Sequence, residues 1–269
     1  MQTVDVSFYE PNEQAAIDRF LRDGYVIFAV EDRDSLDALR DGIYREGLRL
    51  LGAHVDRDEF FDSIHHHVTV DGLNDFRLAL IRHLAAGGDG TRIGVYRLVK
   101  QHLAWLAGNE LAMQRSCNLS IQLPRDADSV LPVHSDVWSG NSPYEVVSWL
   151  PLVDCYRTRS MFVLPRHEAE DVYDDFPHYA SLDAEGFFAA IADRVVWLEV
   201  PYGHVVLFSH TVPHGNRVNL EEKARWSINV RFKSLLTPYD TKPLGETFLP
   251  ITTRPATKIG YSYRKPSIR

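Results

Sequence analysis

The sequence predicts a mainly β domain with helices covering one side. Three observations carry this. Residues 1–115 show apolar side chains at helical spacing. From 116 to 235 the chain breaks into short apolar runs separated by Gly, Pro and Asn, the pattern of a sandwich or barrel. The last of those runs, 225–234, alternates polar and apolar residues, so it has two distinct faces. With 269 residues, no internal repeat and no low-complexity segment, one core suffices. We expect a single domain over 1–269, with a helical cover (1–115), a β core (116–235) interrupted by a helical insertion (166–193), and a C-terminal extension (236–269).

In chain order, Asn12 is placed to cap a first helix whose stripe of Ile17, Phe20 and Leu21 stops at Gly24. Tyr25–Val30 reads as a strand. Asp34 is placed to cap a second helix carrying Leu36, Leu39 and Ile43. Helical patterns follow at 72–86 and 92–107, separated by Gly87-Gly88-Asp89-Gly90. Strands are expected at 117–123, 130–134, 144–151, 160–164, 195–200, 204–208, 212–216 and 225–234.

Composition narrows the function. The balance of 29 basic and 37 acidic residues gives −8, and no basic stripe is interleaved with aromatics, which argues against a nucleic-acid partner. No apolar run approaches a membrane span, and the first residues lack a basic-then-apolar signal region. Cys117 and Cys155 read as reduced structural cysteines of a cytoplasmic protein.

The chemistry concentrates around His134-Ser135-Asp136, His214 and Arg225. Two imidazoles and one carboxylate are the ligand set of non-haem Fe(II) oxygenases. His-x-Asp in an extended segment would point both side chains to one side. His214 must then come from a distant strand, and an arginine after it can hold a dicarboxylic co-substrate through its planar fork. Arg225, Ser227, Asn229, Arg231 and Lys233 share the polar face of 225–234, which can meet water or line a cavity. Arg217 follows His214 too closely to be the clamp and reads as a turn residue. His210 competes with His214, but only His214 precedes a glycine that allows close backbone approach. His65-His66-His67 cannot all face one ion and reads as a solvated loop.

Together with Gly203–Phe208, His214-Gly215-Asn216-Arg217-Val218-Asn219, Arg225–Phe232 and the early Phe20–Ile27 stretch, these residues resemble the phytanoyl-CoA dioxygenase-like family of Fe(II)/2-oxoglutarate oxygenases. His134, Asp136, His214, Gly215, Asn219 and Arg225 stand at its motif positions, whereas His204 replaces an acidic residue common there. The resemblance implies a double-stranded β-helix (jelly-roll, cupin-like) core with an N-terminal helical layer. It implies Fe(II) held by His134, Asp136 and His214, with 2-oxoglutarate and O2 as co-substrates. Arg225 and Ser227 would grip the far carboxylate. Gln122, on a face with Asn118 and Ser120, would reach the chelating end. Trp149 would lie beside the co-substrate or in the core, Trp138 would roof the substrate, and Arg231 would reach the substrate or balance its charge. Asp136 favours hydroxylation over halogenation, which in related enzymes needs a small residue there. The stretch 138–155 is similar to a bacterial subgroup found with carbohydrate-biosynthesis genes, implying a sugar or nucleotide-sugar substrate. An amino-acid hydroxylase and a non-catalytic metal-binding β-barrel are the alternatives.

Overall fold

The computed structural model describes residues 7–266. Helix α1 (Pro11–Asp23) starts earlier than the Asn12 cap expects, because Pro11 takes the first turn, where its missing N–H costs nothing. It ends as expected on Gly24, whose φ of +78° makes a left-handed cap. A Cβ on Gly24 would lie 2.3 Å from Val212 Cγ2, so this turn is pressed against the loop that carries His214. After β1 (Tyr25–Ala29), helix α2 (Arg33–Leu51) is capped by Asp32, not Asp34. The Asp32 carboxylate accepts from the Ser35 N–H. Helices α3 (Arg57–Asp62), α4 (Val70–Ala86), α5 (Gly88–Arg97) and α6 (Lys100–Ala107) complete the cover. Helix α4 ends at Ala86 as expected, with Gly87 as its C-cap, but α5 opens at once at Gly88, and a second break falls at Leu98–Val99, inside the expected 92–107 helix.

The β core begins with β2 (Leu111–Gln114), β3 (Asn118–Gln122), β4 (Glu145–Pro151) and β5 (Phe162–Val163). The expected insertion follows as α7 (Glu170–Asp174), α8 (Phe176–Ser181) and α9 (Ala184–Ile191). Then come β6 (Val196–Trp197), β7 (His204–Ser209), β8 (His214–Gly215), β9 (Arg225–Ser234), β10 (Phe248–Thr252) and α10 (Pro255–Ser262). A 7-stranded sheet runs β1-β7-β4-β9-β2-β10, with β3 also paired to β9, and a 3-stranded sheet runs β6-β5-β8. The named strand pairs are antiparallel. The segment after 236 is therefore more than an extension, since its β10 forms a sheet edge. Residues 130–134 form no strand. Among them only His134 forms a β-bridge, with His214, by reciprocal backbone bonds of 3.0 and 2.8 Å, while Pro132 lacks the N–H a ladder needs. No helix among the described residues is long and apolar enough to cross a membrane.

Strand β9 is the pivot. Its apolar face, Trp226, Ile228, Val230 and Phe232, is buried, and α3 and α6 lie against the strand. The Trp226 ring packs on Phe60 and Phe61, both at 5.3 Å, and on Phe76 at 6.5 Å. Arg159, also buried, clamps the same junction. Its Nη2 donates to Asp62 Oδ1 at 2.6 Å and its Nε to the Ala224 carbonyl at 2.9 Å, one residue before Arg225. Removing the Trp226 ring leaves a cavity between sheet and helices. Trp226→Ala should cost about 3–5 kcal/mol in urea unfolding. A loss under about 1 kcal/mol would contradict a core built on this contact.

Candidate active site

An isolated bridge to β8 of the smaller sheet brings His134 beside His214. Their ring centroids lie 4.3 Å apart at an interplanar angle of 49°. Each imidazole makes the same local bond. His134 Nδ1 contacts the Pro132 carbonyl and His214 Nδ1 the Val212 carbonyl, both at 2.9 Å and both two residues back. A carbonyl can only accept, so Nδ1 carries the hydrogen, and Nε2 is the nitrogen left with the lone pair in the neutral ring, the form a metal needs. Burial, then the neighbouring His134, pushes the His214 pKa down to about 4, so its imidazole is neutral at pH 7. Gly215 makes this approach possible. A Cβ there would sit 2.7 Å from the Leu131 carbonyl oxygen and 2.9 Å from Phe162 Cζ. Asn216 ties the facing 129–131 segment, with its Oδ1 accepting from the Leu131 N–H and its Nδ2 donating to the Ser129 carbonyl. Asn219 holds the turn before β9 through the Lys223 carbonyl and the Glu221 N–H.

From His214 a cavity of about 70 Å³ runs between the sheets to Arg225, with Trp149, Phe208 and Ser227 in its walls. The polar face of β9 thus lines an interior. Arg225 is 5% exposed. Its Nη1 donates to the Ser160 carbonyl at 3.1 Å and its Nη2 to Ser120 Oγ at 3.4 Å, while Nε has no partner. Burial draws its pKa down to about 10, which leaves it charged at neutral pH. Among the described residues no carboxylate pairs with it. Beside it, Ser227 Oγ and Asn229 Oδ1 are buried and unpartnered. A buried cation with no counter-ion is costly, so an anion brought from outside would be favourably received here.

Asp136 is placed differently from expectation. The His-x-Asp segment is not a strand: Ser135 is extended, and Asp136 opens a short 3-10 turn over Asp136–Ser139. The Asp136 Oδ1 accepts from Arg231 Nη2 at 3.0 Å, and Oδ2 lies 3.4 Å from His210 Nε2. Burial raises the Asp136 pKa, but Arg231, His210 and His214 outweigh it and hold the carboxyl below its ordinary value. Among the described residues no three His, Cys, Asp or Glu side chains converge as a ready metal site. The imidazoles stand side by side, while the carboxylate is engaged by the guanidinium. Behind it, fully buried His210 accepts from Arg231 Nε at 3.1 Å and places Nδ1 3.1 Å from Glu145 Oε2. Burial pushes the His210 pKa down to about 3.

Other expected residues divide. Trp149 lines the cavity, as does Ser120, but Gln122 does not. Its amide instead donates to the Arg217 carbonyl at 2.7 Å. Strand parity placed both on one face, and depth along the strand separates them. Trp138 is half-buried and held by Phe176 at 4.8 Å and Phe187 at 5.9 Å, so part of its ring is taken up by the insertion. Arg217 pairs with Glu185 away from the cavity, and His204 opens β7 opposite Ala29. His67 pairs with Glu59 at 3.1 Å. Both cysteines are free and buried, and burial raises their pKa values to about 11 for Cys117 and about 12 for Cys155. Gln114, Glu145 and Lys242 belong to the site surroundings without a local sequence signal.

No family model matches the chain, and no curated protein matches it. Solved structures do. AviO1 from Streptomyces viridochromogenes Tue57 is 18% identical, over 86% of this chain and 99% of its own, with a TM-score of 0.55. The non-haem alpha-ketoglutarate-dependent carbocyclase SnoK from nogalamycin biosynthesis is 18% identical over 92% and 97%, with a TM-score of 0.52. HygX from Streptomyces hygroscopicus, with nickel and 2-oxoglutarate bound, is 13% identical over 86% and 90%, with a TM-score of 0.51. At these identities the likeness is one of fold: a mainly antiparallel, cupin-like jelly roll with flanking helices and no closed barrel.

Two consequences can be measured. His210 and His214 are neutral when folded but charge below about pH 6.5 when unfolded, so unfolding takes up protons as pH falls. Stability without added metal should decline from pH 6.5 towards pH 4, and a urea midpoint that stays flat across that window would refute the neutral assignment. Gly215→Ala should destabilise by about 1–3 kcal/mol, read from the same titration.

Proposed function

We propose that this chain is an Fe(II)- and 2-oxoglutarate-dependent oxygenase that hydroxylates a C–H bond of a small molecule. The observation that carries the reading is the cavity between His214 and Arg225. One end offers a lone-pair nitrogen on a neutral imidazole and the other a buried guanidinium without a carboxylate. 2-Oxoglutarate has matching ends, a keto acid that chelates metal and a far carboxylate that needs a cationic fork. His134, His214 and Asp136 would hold ferrous ion, whose chemistry is the activation of O2 coupled to oxidative decarboxylation of the co-substrate.

The chain's own part is positional. The Pro132 and Val212 carbonyls fix both imidazoles in the ligating tautomer. Arg225 and the free Ser227 hydroxyl bind and orient the carboxylate, while Trp149 and Phe208 keep water from the cavity. The folds of HygX, solved with nickel and 2-oxoglutarate, and of alpha-ketoglutarate-dependent SnoK support this assignment. A metal-binding barrel without catalysis would have no use for a buried Arg225. The 138–155 stretch favours a sugar or sugar conjugate as substrate, and the buried thiols suit action in the cytoplasm.

Anaerobic addition of Fe(II) and 2-oxoglutarate should give a weak visible charge-transfer band. Folded, iron-loaded protein without that band would sink the assignment. Arg225→Ala should weaken 2-oxoglutarate binding about 10- to 100-fold, as expected for lost charge-assisted bonds, with metal affinity nearly unchanged. Succinate release should be stimulated by nucleotide sugars or free sugars in preference to amino acids.

A further inference from the structure

The space around Asp136 and Glu145 is rich in cations, and their partners differ. The Lys233 ammonium is committed to the Pro238 carbonyl and the Tyr239 ring, and Lys242 donates to Asn141 Oδ1. Arg231 is gripped by neutral acceptors on two sides: Nε donates to His210 Nε2 at 3.1 Å and Nη1 to Gln114 Oε1 at 3.4 Å. Its only ion pair among the described residues is with Asp136, at 3.0 Å. That carboxylate is also the third donor a ferrous ion would require, and in this structure it does not converge with the imidazoles.

Building on the oxygenase reading, we propose that metal binding draws Asp136 away from Arg231, and that the freed guanidinium then receives an acidic group, carboxylate or phosphate, on the substrate. Three features argue for this. The Arg231 side chain is only 17% exposed, so losing its carboxylate leaves a largely desolvated cation that needs another anion. Its planar fork stays in place after the loss, because His210 and Gln114 hold it and His210 is itself fixed, its backbone carbonyl accepting from Ser135 Oγ at 2.7 Å. Glu145 cannot substitute for Asp136, since it lies across the His210 ring and accepts from the Ser142 N–H at 3.1 Å. Metal would thus bind before the acidic substrate, and each would favour the other. The substrate class narrows to acidic small molecules, such as a sugar acid or a sugar phosphate.

The test uses full-length protein with Ni(II) in place of iron, with and without 2-oxoglutarate. Acetate and phosphate are titrated separately by calorimetry, and Ni(II) affinity is measured in parallel. Wild type loaded with Ni(II) and 2-oxoglutarate should bind one of the two anions about ten-fold or more tightly than the metal-free protein does, and which anion it is identifies the acidic group. Arg231→Gln should lose that gain and bind Ni(II) at least as tightly as wild type, because a competitor for Asp136 is gone. Arg231→Lys should retain part of the gain. Arg231→Gln binding Ni(II) 10- to 100-fold more weakly, with anion affinity unaltered, would overturn the proposal and make Arg231 a holder of the Asp136 ligand. Wild type that binds no Ni(II) at all would instead remove the oxygenase reading beneath it.

Discussion

An unpaired guanidinium inside a jelly roll is the constraint that organises this protein. Arg225 cannot be left in that position cheaply, so its neighbours all serve to hold it there. Backbone carbonyl and hydroxyl groups take two of its nitrogens, and the Arg159–Asp62 pair anchors the start of its strand. The helical layer presses Phe60, Phe61 and Phe76 onto Trp226, the next residue, from the opposite face. Alternation along β9 does the rest: each inward polar residue is matched by an outward apolar one, so the packing that stabilises the sheet also turns the charged face into the cavity.

The two ends of the cavity are electrostatically distinct. At the His214 end, burial keeps imidazole neutral and leaves a lone pair, and at the Arg225 end burial lowers the pKa without removing the charge. A ligand spanning the two must suit a neutral imidazole at one end and carry an anionic group at the other. The third feature, Asp136 held by Arg231, places a negative charge beside the imidazoles in advance of any cation.

Much of this was legible in the sequence. The boundaries of β9 and its two faces followed from strict alternation, and the insertion followed from a break in strand spacing. Gly215 read correctly as a point of close backbone approach. What could not be read was set by distant partners. The helix caps shifted by about two residues because Pro11 and Asp32 compete with equally plausible neighbours. Strand β2 is short and unpatterned, and β10 carries Pro250, tolerable only at an edge. Gln122 and Ser120 share parity, which says nothing of depth. The orientation of Asp136 depends on Arg231 and on a 3-10 turn that His-x-Asp spacing does not encode.

The Gly24 turn wedged against Val212 has an architectural consequence. Val212 supplies the carbonyl that orients the His214 ring, and the Gly24 carbonyl accepts from Ser209 at 2.9 Å at the head of the same loop. The first helix–strand junction and the second imidazole are therefore one mechanical unit, however far apart they lie in the chain. A chimera that grafts this core beneath a foreign N-terminal layer would have to carry the Phe20–Ala29 junction with it, or forfeit the alignment of the ring.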